Sequence, residues 1–143
     1  MKDALYHQAI LDLAKKAAGS GRLEAPDARV VVDNPLCGDR ISLDLTLEGG
    51  RVRELAHKAR GCLLCQAAAS VIGARAPGAD AAELRALSEQ LARDIASDPA
   101  AIGASWPEMS AFAPVHAHKS RHECVLLPFQ ALVQALDEAK RDG

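Results

Sequence analysis

The chain has 143 residues, of which 49% are apolar, and a formal charge of −2. This length and apolar content predict one domain, residues 1–143, with a single core, and the absence of a basic excess predicts no nucleic-acid partner. No apolar run reaches the ~20 residues that cross a bilayer, and the amino end lacks the apolar stretch of a signal peptide, so we expect a cytoplasmic protein with no membrane partner.

The first half of the chain predicts one helix followed by a small antiparallel sheet. Apolar residues recur at helical spacing over residues 6–17, before a Gly-Ser-Gly sequence ends the pattern. The β-branched segment 29–33 predicts a short strand. Residues 41–48 alternate between aliphatic and polar side chains, which places the aliphatic ones on one face of a second strand. Gly49-Gly50 predicts a hairpin turn into a third strand over residues 51–60.

Two helices are predicted after this sheet. Residues 63–76 are rich in alanine, which favours a helix that begins directly after Gly61-Cys62. Asp80 is followed three residues later by Glu83, a capping-box sequence that marks the start of a helix. Leucines at helical spacing extend this second helix to Asp98, where a proline follows.

The last third of the chain predicts a loop and a final helix. The helical pattern fails over residues 100–119, so we expect a loop on the surface with at most one short helical turn. Trp106 and Phe112 are interpreted as the anchors that hold this loop on the core. Residues 125–136 predict an amphipathic helix, in which Pro128 is expected only within the first turn.

The four cysteines lie beside predicted turns and helix starts. Cys37 precedes the long strand together with Asp39, Cys62 lies where the third strand becomes a helix, and Cys124 begins the last helix. In a reducing cytoplasm such cysteines serve metal binding or thiol chemistry more often than disulfides. Helix amino ends stabilise the thiolate, which is the form that binds metals. Cys65 lies on the same helical face as Cys62, so it either joins the site or packs in the core.

Three motifs together resemble the iron–sulfur cluster assembly scaffold family of IscU and the amino-terminal part of NifU. They are Asn34-Pro35-Leu36-Cys37-Gly38-Asp39-Arg40, Gly61-Cys62 followed by small residues, and Arg121-His122-Glu123-Cys124. The long interval before the last motif, with its additional predicted helix, is most similar to the SufU branch. The resemblance implies an α+β fold of the SufE/IscU/NifU type, with a small three-stranded antiparallel sheet packed against four or five helices.

The resemblance also implies a function and a site. The implied function is that of a scaffold or carrier, rather than a catalyst, that accepts sulfur from a cysteine desulfurase and supplies apo iron–sulfur proteins. Iron or a nascent cluster, expected to be [2Fe–2S], would be held by Cys37, Asp39, Cys62 and Cys124, with zinc as the resting or alternative metal. Cys37 and Cys124 are the candidate sulfur acceptors, and Arg121 would support them.

Other functions remain open at this stage. A zinc-dependent sulfurtransferase of the SufU kind would use the same residues, and the chain would then be an enzyme that builds no cluster. A small structural zinc adaptor would hold its metal in a closed tetrahedral site. Cys62 and Cys65 have the spacing of a redox pair, but the usual βαβ context is missing. The histidines His116, His118 and His122 are interpreted as surface residues, with His122 near enough in sequence to Cys124 to complete a metal site.

Overall fold

The structure, a computed structural model, describes residues 7–36 and 38–142 of the chain. Its main elements are, in chain order, α1 (Gln8–Lys16), β1 (Ala28–Asn34), β2 (Asp39–Glu48), β3 (Arg51–Arg60), α2 (Leu63–Arg75), α3 (Ala81–Ser97) and α4 (His122–Asp142). The described strands form one antiparallel sheet in the order β1-β2-β3. This confirms the predicted α+β class and its three-stranded sheet. No described helix is both long and apolar enough to cross a membrane.

The alternating pattern of β2 builds the inner face of the sheet. Ile41, Leu43 and Leu45 are all fully buried, and α4 packs across β1 and β2. The pairing of β2 with β3 shifts by a bulge between Thr46 and Leu47. A bulge interrupts the two-residue alternation, and Leu47 is accordingly only half-buried. The buried apolar side chains of the sheet and of the described helices form one core cluster.

Asp44 is buried on the opposite face of β2, which the alternating pattern did not predict. Its side chain is 1% exposed. One carboxylate oxygen accepts a hydrogen bond from Arg29 at 2.9 Å, and the other accepts bonds from Arg22 at 3.2 Å and from the backbone N–H of Leu23 at 3.0 Å. Burial alone would raise the pKa of Asp44, but these hydrogen bonds outweigh it and hold the pKa below its ordinary value of 3.8. The carboxylate therefore fixes the segment that leads from α1 into β1.

Replacing Asp44 with Asn is expected to lower the free energy of unfolding at pH 7 by about 2 kcal/mol, because two arginines lose a charged acceptor. A carboxylate with a lowered pKa stabilises the fold above its unfolded pKa, and this contribution is lost as the pH falls through the folded value. The difference between Asp44→Asn and the native chain should therefore shrink below about pH 4. Urea unfolding across this range measures it. Glu48→Gln, which removes an exposed pairing with Arg53, is the control and should change little.

The caps and breaks of the later helices follow the sequence closely, with one exception. The side chain of Asp80 accepts hydrogen bonds from the N–H groups of Ala82 and Glu83, as its capping role predicts. Pro128, however, lies inside α4 beyond its first turn, and the prediction for it was wrong. The helix begins at His122, earlier than expected. A proline at this position removes the N–H that would bond to the carbonyl of Cys124.

The segment between α3 and α4 is more ordered than the predicted loop. It contains three 3₁₀ helical segments, which are Pro99–Ala101, Pro107–Ala117 and Lys119–Arg121. Met109, Phe112 and Val115 are buried, and their spacing of three residues is the period of a 3₁₀ helix, which a search for α-helical periodicity overlooks. Phe112 anchors the segment as predicted. Trp106 is half-buried, with its ring centroid 6.3 Å from that of Phe129.

Candidate metal centre

Three potential metal ligands from separate parts of the chain meet at one edge of the sheet. One oxygen of Asp39 and the sulfurs of Cys62 and Cys124 all lie within 4.8 Å of one another. Asp39 and Cys124 are buried, with 1% and 0% of their surfaces exposed, and Cys62 is partly exposed. A buried carboxylate beside two thiols is costly without a cation, so this donor set fits a metal ion.

The sheet and α4 explain why these residues converge. Asp39 is the first residue of β2, where the strand pairs with the end of β1 at Asn34. The next residue, Arg40, pairs with Arg60 at the end of β3. The start of α2, which carries Cys62 at its amino end, therefore lies beside the start of β2. Because α4 packs on α2 and β2, its first turn brings Cys124 to the same point.

Asp39 is held in place by the chain that follows β3. One oxygen accepts a hydrogen bond from the backbone N–H of Cys62 at 2.9 Å, and the other accepts one from the Cys62 thiol at 3.4 Å. Gly61 allows this approach. A Cβ at Gly61 would lie 2.0 Å from the Asp39 Oδ1 and 2.9 Å from the Asp39 Cα, and the glycine has a φ of +139°. Gly61 therefore sets the distance between the carboxylate and the thiols.

Both thiols are harder to ionise than free cysteine in this arrangement. Burial raises the pKa of Cys62, the backbone N–H of Cys65 and the Cys124 thiol lower it in part, and the charge of Asp39 raises it again. Burial and then the neighbouring Cys62 and Asp39 raise the pKa of Cys124 further. The backbone N–H at the start of α2 therefore lowers the pKa of Cys62 as expected, but burial and the neighbouring carboxylate outweigh it. A bound cation would displace these protons.

The sequence and the fold of the chain match one known family. Residues 5–124 match the family model described as NifU-like N terminal domain. The chain belongs to this family. It is 29% identical to the iron-sulfur cluster assembly scaffold protein IscU of Thermotoga maritima, over 96% of each chain. It is also 29% identical to the zinc-dependent sulfurtransferase SufU of Bacillus subtilis, over 99% of this chain and 94% of that one.

A solved structure extends this similarity to the fold. The NifU-like protein (N-terminal) from Brucella abortus superposes with a TM-score of 0.87 at 29% identity, covering 99% of this chain and 98% of that one. The predicted family resemblance and fold are thus confirmed. The roles of the individual site residues stay predictions that rest on the geometry described above.

Cys37, the first predicted ligand of this NifU-like chain, lies outside the described residues. The turn on either side of it is described. The side chain of Asn34 accepts a hydrogen bond from the N–H of Leu36 at 3.0 Å, and its backbone carbonyl accepts one from the N–H of Gly38 at 2.9 Å. Gly38 has a φ of +75°, which favours glycine. Leu36 is 96% exposed, so the turn that precedes Asp39 is open to a partner.

Cys65 packs in the core. It is fully buried within the core cluster, and among the described residues the group of potential ligands includes Cys62 but not Cys65. The position one turn along α2 therefore places the second thiol of the Cys-x-x-Cys sequence among apolar side chains. This arrangement favours the packing interpretation over a redox pair or a fourth thiolate ligand.

Replacing Cys65 with Ser is expected to lower the free energy of unfolding by about 1 kcal/mol or more, because a hydroxyl is costlier to bury than a thiol. Metal content should stay unchanged. Cys65→Ala is the matched control, since it removes the sulfur without adding a polar group. Thermal unfolding and metal analysis of both variants measure the effect. A parallel loss of metal in both variants, with stability retained, would show that Cys65 is a reserve ligand.

The remaining candidates lie close to Cys124 in sequence but outside the ligand group of the described residues. Arg121 is half-buried and ends the last 3₁₀ segment, where its backbone N–H donates to His118 at 2.8 Å. A ring nitrogen of His116 is hydrogen-bonded to the carbonyl of Ile95 at 2.9 Å, and one of His122 to the carbonyl of His116 at 3.0 Å. Through these hydrogen bonds to backbone carbonyls, the two histidines have a structural role. The supporting role of Arg121 stays a prediction.

Proposed function

We propose that the chain acts in iron–sulfur cluster assembly as a scaffold or carrier that accepts sulfur from a cysteine desulfurase. The convergence of Asp39, Cys62 and Cys124 within 4.8 Å is the observation that carries this proposal. Cys37 is the proposed fourth ligand. The similarity to the IscU scaffold of Thermotoga maritima over nearly the whole chain supports the same function. The proposed cargo is iron or a [2Fe–2S] cluster, which passes to apo iron–sulfur proteins.

The donor set suits a carrier because one ligand is an oxygen. A carboxylate holds iron or zinc less tenaciously than a thiolate does, so Asp39 offers a position from which a cluster can leave.

Sulfur would arrive when a thiolate of the scaffold attacks the terminal sulfur of a desulfurase persulfide. The new sulfur–sulfur bond forms on the scaffold, and the desulfurase cysteine departs as a thiolate. Cys37 and Cys124 are the proposed acceptors.

A second candidate is a zinc-dependent sulfurtransferase, and the spacing of the donors favours it. Ligands around a tetrahedral ion with bonds of about 2.3 Å lie about 3.8 Å apart. The limit of 4.8 Å among Asp39, Cys62 and Cys124 is therefore close to what one metal ion needs. The SufU relative of Bacillus subtilis, whose name describes this activity, aligns with 99% of this chain. In this case zinc would orient Cys37 for sulfur transfer, and no cluster would be built.

Metal loading and sulfur transfer separate these functions. The protein is purified under aerobic and anaerobic conditions, its metal content is measured, and iron and sulfide are then added anaerobically. A scaffold develops visible charge-transfer absorption and passes its cluster to an apo-ferredoxin. A sulfurtransferase stays colourless, retains zinc and stimulates a cysteine desulfurase. A protein that does neither but unfolds when zinc is chelated is a structural module, which contradicts both proposals.

Replacing Asp39 with Ala is expected to slow cluster release and to prolong the lifetime of the cluster, because the most labile ligand is removed. Asp39→Asn is the matched control, since its amide oxygen can still accept the hydrogen bond from the N–H of Cys62. Transfer of a preformed cluster to apo-ferredoxin, followed by absorption, measures the rate. If Asp39→Ala loses all its metal as completely as Cys37→Ala does, the carboxylate is structural and the proposed release step is wrong.

A further inference from the structure

A cavity lined by none of the described metal ligands lies between α3 and the first two 3₁₀ segments. It has a volume of about 60 Å³ and is lined mainly by apolar side chains, including Leu91, Ile102 and Met109. A groove of about 490 Å³ adjoins it along α3. Leu87 and Trp106 line both spaces. The cavity and the groove therefore form one site, with a narrow inner end and a wide mouth.

Asp94 gives this apolar site a charge. Its side chain lines the cavity and is 6% exposed. Within residues 7–36 and 38–142 its carboxylate accepts one hydrogen bond, from the side-chain amide of Gln90 at 2.7 Å, and forms no ion pair. Buried carboxylates are normally paired with a cation or fully hydrogen-bonded. Asp44, which is still more deeply buried in β2, is paired with two arginines, whereas the described partner of Asp94 is the neutral amide of Gln90.

The residues around Asp94 define what would bind. Among the described residues, no lysine, arginine or histidine lines the cavity or the groove, and Glu83 adds a second acidic group at the groove. The inner cavity is small, and lysine carries a compact point charge on a flexible apolar stem that suits a narrow apolar space. The half-buried indole of Trp106 lies on both spaces, and aromatic faces attract cations.

We propose that this site receives a lysine side chain of a partner protein. The ammonium group lies beside Asp94 in the inner cavity, and the methylene stem lies against Leu87 and Trp106. The groove of about 490 Å³ accommodates the backbone that carries the lysine. The acidic group, the narrow inner end and the apolar walls are complementary to a lysine side chain. The site uses none of the proposed metal ligands, so its test is independent of the proposed function.

The test uses the intrinsic fluorescence of the full chain, which contains a single tryptophan, Trp106. The probes are N-acetyl-lysine-methylamide, its norleucine counterpart and butylammonium. We expect a saturable fluorescence change with the lysine compound and none with norleucine over the same concentrations, because norleucine lacks the charge. Butylammonium should bind more weakly than the lysine compound. The proposal would be overturned if the norleucine compound bound as tightly as the lysine compound. It would also be overturned if butylammonium bound as tightly, because the site would then serve free amines rather than a protein side chain.

Two variants locate the binding. Asp94→Asn should lower the affinity for the lysine compound at least about tenfold, as expected for the loss of a charge-assisted hydrogen bond. Glu89→Gln, an exposed change on the same helix that does not line the site, should leave binding unchanged. Ser105→Lys introduces a cation at the exposed rim without changing Asp94, and it should also weaken binding. This variant provides the test if Asp94→Asn fails to fold. Unchanged binding in Ser105→Lys and in any folded Asp94→Asn would overturn the proposal.

Discussion

A Gly61→Ala chain is expected to fold but to lose at least about tenfold in metal affinity, although all its proposed ligands are intact. The added Cβ would lie 2.0 Å from the Asp39 Oδ1 and 2.6 Å from its Cγ, so the carboxylate has to move. That movement breaks the hydrogen bond between Asp39 and the N–H of Cys62. The oxygen then no longer faces the two thiols. The effect is larger than that of an ordinary surface substitution because one methyl group displaces a ligand directly.

The measurement for Gly61→Ala is competition for zinc against a coloured chelator, with unfolding monitored in parallel. Gly21→Ala is the matched control. Gly21 has a φ of +143°, close to the +139° of Gly61, but a Cβ there would meet no atom of the described residues within 4 Å. Both substitutions therefore carry the same backbone strain, of about 1–3 kcal/mol, and only one disturbs Asp39. If the two variants bind zinc equally, the close approach of Gly61 to Asp39 has no role in the site.

The sequence predicted the elements whose signals are local. The aliphatic positions of β2 before the bulge and the cap at Asp80 depend on neighbouring residues, and both appear in the structure as expected. The burial of Asp44 depends on arginines that are distant in sequence, one before β1 and one within it. Polar residues on alternate positions usually face water, so nothing in the local pattern marked Asp44 as buried. The 3₁₀ segment Pro107–Ala117 was missed because its period is three residues.

The candidate site was also predicted only in part: its ligands were identified from the sequence, but their protonation and the burial of Cys65 were not. Motifs identified Asp39, Cys62 and Cys124 from their positions at strand and helix ends, and the structure brings these three together. Their protonation could not be predicted from the helix starts, because it depends on how deeply the thiols are buried against one another. Cys65 shares the helix of Cys62, and only the packing of α2 on the core shows that its side chain is buried.

Replacing Gly73 with Ala is expected to lower the free energy of unfolding by about 3 kcal/mol, the largest stability loss predicted for this chain. Gly73 lies in α2, where alanine would ordinarily stabilise the helix by about 1 kcal/mol. Here a Cβ would lie 1.9 Å from the backbone oxygen of Ala18 and 2.9 Å from the Cα of Gly19. Backbone atoms cannot rotate away as a side chain can, so α2 and the segment that follows α1 would have to separate.

The hydrogen bonds around Ala18 explain why that separation is costly. Its N–H donates to the Ser70 hydroxyl at 3.0 Å, and its carbonyl is hydrogen-bonded to the His57 ring at 2.7 Å. Moving Ala18 away from Gly73 strains both bonds, and His57 is itself buried. Urea unfolding of Gly73→Ala is compared with that of Ala74→Gly, an exposed position in the same turn where only helix propensity changes. If Gly73→Ala instead stabilises the chain by the amount that Ala74→Gly loses, then Gly73 of α2 is not in tight contact with Ala18 and Gly19.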